Sequence, residues 1–112
     1  MKYVLRYAMA SDVDFARVRA LFPEHRQHWD VFRAERTLLA IGPMEDPAEG
    51  ALAIFTSREA AEQFARSDPF VTGGVVGNWD VTGWQEAILE PLSDPESRWS
   101  PQPDRRPALI SR

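Results

Sequence analysis

The chain carries two histidines, His25 and His28, within Pro23-Glu24-His25-Arg26-Gln27-His28. Imidazole titrates near neutrality, so a histidine held by a carboxylate can take up and return a proton at physiological pH. Asp68, in Ser67-Asp68-Pro69-Phe70, is the candidate partner. In an acid–base reading Asp68 holds one ring nitrogen of His25 and fixes the tautomer, and the other nitrogen faces a substrate. In a plainer reading His25 is a satisfied core histidine. Asp68, just before a proline, is then a turn former that bonds a nearby backbone N–H. Sequence separation permits contact between the two residues without requiring it.

Other residues could join such a site. His28 lies one helical turn after His25, on the same side of a helix. Two histidines with Asp68 would make a legitimate metal shell, but nothing else in the sequence demands one, and neither a metal nor a cofactor is expected. Trp29, Phe70, Trp79 and Trp84 could line a cavity for an aromatic ligand. Trp29 stands at helical spacing, where an aromatic residue goes to packing first, whereas Phe70, just after Asp68, is the expected pocket wall. Tyr7, at the end of the first strand, could donate a hydrogen bond to a ligand. Gly73, Gly74 and Gly77 make no phosphate loop, because no Lys-Ser/Thr follows them; they suit a turn and a bulge.

The elements that must position these residues can be read from pattern. Tyr3-Val4-Leu5-Arg6-Tyr7-Ala8 is β-prone and predicts a strand over about 2–9. Ser11 or Asp12 can cap the helix that follows. Phe15, Val18, Phe22, His25, Trp29 and Phe32 then form one helical stripe. Pro23 interrupts it, which predicts either a kink near 20–23 or a second helix with Pro23 in its first turn. Thr37 to Ile41 reads as the second strand, closed by Gly42-Pro43. A turn-rich loop leads to a third strand, Ala51 to Phe55. Ser57 caps an amphipathic helix with Ala60, Ala61, Phe64 and Ala65 on its buried side. Asp68-Pro69 ends that helix, Gly73-Gly74 turns the chain, and Val75 to Trp84 is the fourth strand, with Asn78, Asp80, Thr82 and Trp84 on one face.

The order β-α-β-β-α-β is the ferredoxin-like α+β pattern, a four-stranded antiparallel sheet with two helices on one face. Apolar residues on both sides of the second and third strands leave a face that a second copy of the chain would cover. With 112 residues, one domain is expected over 1–90. Residues 91–112 hold five of the nine prolines and Trp99 as their one aromatic residue, so an extended or disordered tail is expected there. A net charge of −4 argues against nucleic-acid binding. No cysteine is present, which excludes disulfides and thiolate chemistry. No run approaches the ~20 apolar residues of a membrane span, and a cytoplasmic location is expected.

Four separated motifs, in order, carry a resemblance. They are Pro23-x-His25, then Leu38-Leu39-Ala40-x-Gly42-Pro43, then Ser57-x-Glu59-Ala60-Ala61-x-x-Phe64, then Asp68-Pro69-Phe70-x-x-Gly73-Gly74-Val75. Over roughly residues 1–85 the chain resembles the YciI-like (YCII-related) proteins of the dimeric α+β barrel superfamily. The resemblance implies a homodimer of ferredoxin-like subunits with a cavity in each, and His25 and Asp68 as its acid–base pair. It further implies a small-molecule enzyme of lyase, dehalogenase (dehydrochlorinase) or isomerase type, acting without a cofactor on a small cyclic or aromatic-derived metabolite. Phe22 stands where members of that family often carry an arginine, so no anion contact is implied at that position. The alternative is a non-catalytic small-molecule-binding or dimerisation module, since fold does not fix function. Haem or metal use, as in some members of the superfamily, is a third reading.

Overall fold

The computed structural model describes residues 1–90. The tail expected over 91–112, with Trp99, lies outside the described residues. The strands are β1 (Lys2–Met9), β2 (Leu38–Pro43), β3 (Ala51–Phe55) and β4 (Val76–Trp84), and the principal helices are α1 (Phe15–Ala34) and α2 (Arg58–Ser67). The strands form one antiparallel sheet in the order β2-β3-β1-β4. This is the ferredoxin-like β-α-β-β-α-β arrangement read from the sequence.

Alternation along the strands divides the sheet into two faces. One cross-strand row, Ile41, Ala53, Leu5 and Val81, faces the helices. The next row, Gly42, Leu52, Arg6 and Asp80, faces away from them. The core lies between sheet and helices, with Leu5, Phe55, Phe64 and Val75 fully buried. Phe64 of α2 packs edge-on to Phe32 of α1 at 5.2 Å between ring centroids, and lies 5.2 Å from Phe55 of β3. Such aromatic pairs tie the three elements together beyond simple area burial. Gly77 is the extra residue in β4 where its register against β1 shifts between Ala8 and Met9. An ideal Cβ there would approach the Ala10 Cα to 3.0 Å, so glycine suits this bulge.

Three details differ from the sequence reading. The N-cap of α1 is Asp14, not Ser11 or Asp12; its Oδ1 accepts the Ala16 N–H at 2.9 Å. Second, α1 is a single helix of 20 residues that runs through Pro23, so no second helix begins there. Pro23 and Arg19 are both solvent-exposed residues, so water can serve the Arg19 carbonyl that Pro23 leaves without its helical donor. Third, two single-turn helices interrupt the expected loops, a 3₁₀ turn at Pro47–Glu49 and α3 (Pro69–Thr72). Both start from an aspartate followed by proline, which pre-sets the first helical φ. Ser57 caps α2 as expected, its hydroxyl accepting the Ala60 N–H at 3.1 Å.

Candidate active site

Asp68 is positioned by the proline that follows it. Its extended backbone, φ −66° and ψ 129°, ends α2 and opens α3, as the clash with a following proline ring demands. That geometry turns the carboxylate into the protein, where it is fully buried. A buried carboxylate must be satisfied, and Asp68 meets three partners. Oδ1 accepts the Phe70 N–H at 3.0 Å and lies 2.7 Å from His25 Nδ1. Oδ2 accepts the Tyr7 hydroxyl at 2.5 Å.

This network assigns the His25 tautomer. With a hydroxyl and a backbone N–H both donating to it, Asp68 is the acceptor, so Nδ1 of His25 carries the hydrogen. Nε2 has no hydrogen-bond partner among the described residues, yet it is not among the sealed, unpartnered polar atoms. In the neutral ring this nitrogen holds the free lone pair. His25 is 4% exposed, and its imidazole is gripped by aromatic rings. Phe70 stacks on it at 3.9 Å with an interplanar angle of 11°, and Trp29 meets it edge-on at 5.1 Å.

His25 borders a cavity of about 430 Å³ between α1 and the sheet. Phe22, Trp29, Phe70, Ile41 and Leu5 are among its walls, so its lining is mainly apolar. Tyr7 borders the same space, but its hydroxyl is engaged with Asp68, where the sequence suggested a donor to ligand. Burial first, then the Asp68 charge and hydrogen bond, push the Tyr7 phenol well above its ordinary pKa.

The structure thus brings together His25, Asp68, Tyr7, Trp29 and Phe70. It separates His28, whose Nε2 lies 2.9 Å from the Phe64 carbonyl and donates to it. Among the described residues no group of three or more His, Asp or Glu side chains could hold a metal ion. Trp79 borders a second, smaller cavity of about 230 Å³, and Trp84 is an exposed residue on the outer face. Sequence reasoning missed the tie between Tyr7 and Asp68. The only signal for it was an aromatic hydroxyl on the core side of a central strand. Among the described residues no helix is long and apolar enough to cross a membrane.

Comparison with known proteins agrees with this architecture. No curated protein matches the chain. Among solved structures it is similar to 5-chloro-2-hydroxyhydroquinone dehydrochlorinase from Burkholderia phenoliruptrix, in complex with 2,5-dihydroxybenzoquinone. The identity is 18% and the TM-score 0.60, covering 76% of this chain and 94% of that one; at that identity the likeness speaks for the fold. The YCII-related domain matches residues 1–85, most of the described chain, and the chain therefore belongs to the YCII-related domain family.

Proposed function

We propose that this protein is a small-molecule enzyme in which His25, oriented by Asp68, transfers a proton on a small cyclic or aromatic-derived metabolite. One observation carries the reading. Nδ1 of His25 is held at 2.7 Å by a fully buried carboxylate, while Nε2 is left free beside a largely apolar cavity. A histidine serving only the core would have both nitrogens consumed by protein partners. Here the fixed tautomer presents a base of defined direction.

Nε2 would take a proton from a hydroxyl or an sp3 ring carbon of the substrate's keto form, and the electron pair released would form a new double bond. If halide leaves from an sp3 carbon adjacent to or conjugated with that position, the reaction is a dehydrohalogenation. If the proton returns to a different carbon, it is an isomerisation. In both, Asp68 faces the positive charge that develops on the imidazole. The structural likeness to a dehydrochlorinase supports the first form. We further propose that the chain works as a homodimer, supported by the apolar Val4, Leu52 and Ile54 on the sheet face away from the helices.

The test uses 5-chloro-2-hydroxyhydroquinone for chloride release, and a panel of cyclic ketones for deuterium uptake from D2O. Wild-type protein is expected to act on at least one of them. His25→Ala should lose about 100-fold or more of that rate, in the range of general acid–base contributions, with its circular dichroism unchanged. Activity that survives the substitution would remove His25 as the base, and a wild type inactive on every probe would favour a binding module.

A further inference from the structure

We infer that the cavity recognises a substrate bearing an anionic group, a carboxylate or phenolate, and that Arg19 is the residue that holds it. The inference deepens the proposed function and rests on the cavity beside His25 being the substrate site. Among the residues that line that cavity, Arg19 alone is a permanently charged side chain, and no carboxylate lines it. Arg19 is a solvent-exposed residue of α1 that also borders the cavity, with Phe15 four positions before it and Phe22 three positions after it. Its side chain forms no ion pair or hydrogen bond among the described residues; Arg26 and Arg36 share that lack but do not line the cavity, whereas Arg6, Arg17, Arg33, Arg58 and Arg66 are engaged. A guanidinium with its donors uncommitted, set beside apolar walls, is suited to bidentate binding of a carboxylate. The low-dielectric walls strengthen its pull on a negative charge.

The spacing bounds the ligand. From position 19 to position 25 the helix rises about 9 Å. That leaves room for a single ring between an anion at Arg19 and a reacting carbon at Nε2 of His25. A monocyclic acid with its charge across the ring from the reacting position fits this arrangement.

The experiment measures binding of 2,5-dihydroxybenzoate and of its neutral analogue 2,5-dihydroxybenzamide by calorimetry. Wild-type protein should prefer the benzoate by about 10-fold, the scale of one hydrogen bond to a charged group. Arg19→Gln should abolish the preference while still binding the amide. Arg26→Gln, which makes the same charge change on the same helix outside the cavity lining, should keep it. Equal affinities in the wild type, a preference that persists in Arg19→Gln, or no binding of either probe would each overturn the inference. Failure of the acid–base reading shows separately, as exchange or chloride release that survives His25→Ala, and leaves the affinity ratio where it was.

Discussion

At the scale of single residues, Asp68 is the hub. It is fully buried, it caps α3, it holds His25, and it accepts from Tyr7. Much of this could be read from the chain, because Asp before Pro has few backbone options and a lone histidine on an apolar stripe is conspicuous. The role of Tyr7 could not, because it depends on a strand and a helix end far apart in sequence meeting in space. That role makes a pH prediction. The Tyr7 pKa is raised in the folded state above its unfolded value of 10.0. Stability from the neutral phenol is therefore fully present below about pH 10, and it is lost as pH rises beyond that, where the unfolded chain ionises first. Wild-type protein should lose up to about 1.4 kcal/mol per pH unit from this source. Tyr7→Phe should be less stable at pH 7 by about 1–3 kcal/mol, since it leaves Asp68 Oδ2 unpartnered, yet show a shallower decline above pH 10. Denaturant titrations of both proteins from pH 7 to 11 measure this; parallel curves would remove Tyr7 from the network.

At the scale of elements, periodicity located the four strands and both main helices, because each buries one side against the same core. The ends were harder. Asp14 outcompeted Ser11 and Asp12 as the cap of α1, a choice set by where the strand releases the chain rather than by residue type. The single-turn helices are too short for periodicity to register, although an Asp-Pro pair marks each one. The segment after β4 is fastened to the start of β1 in a way that no pattern announced. Lys2 Nζ lies 2.6 Å from Glu86 Oε2, and the Met1 amine 3.4 Å from Oε1. The Lys2 hydrogen bond chiefly holds the Glu86 carboxyl at a pKa of about 2, below its ordinary 4.5. A depressed folded-state pKa means that the contribution is present above about pH 4.5 and is lost as pH falls toward 2. Glu86→Gln should therefore unfold at lower temperature than wild type at pH 6, with the gap closing as pH falls toward 2. A melting difference that stays constant across that range would show that the Lys2 contact contributes no linkage.

At the scale of the whole molecule, the sheet has one face committed to the core and the other unspent. Antiparallel sheets can leave one face to water, and they then carry polar residues there. This face carries them along the edge strand β4 and at Lys2 and Arg6 of β1, and is apolar at Val4 and along β3. The row Ala40, Ile54, Val4 and Thr82 crosses all four strands, and its neighbour contains Leu52 beside the Arg6–Asp80 pair, joined at 3.0 Å. An apolar centre with a charged rim is the anatomy of a protein interface rather than of a solvated surface. The same patch on two copies would be self-complementary about a two-fold axis. Ile54 is the residue to test, because its side chain points away from the helices and a charge there leaves the core unaltered. Wild-type protein should elute and scatter light as a dimer at micromolar concentration. Ile54→Lys should behave as a monomer with the circular dichroism of the wild type, since a lysine pair buried at the centre of an isologous contact has no counter-charge to offset its desolvation. A wild type that is monomeric at high concentration, or an Ile54→Lys variant that remains dimeric, would place the interface elsewhere. His25 and its cavity lie on the helix side of the sheet, so the monomeric variant also asks whether the site needs the partner. Retention of ligand binding by Ile54→Lys would make each subunit complete by itself, and its loss would make the dimer part of the site.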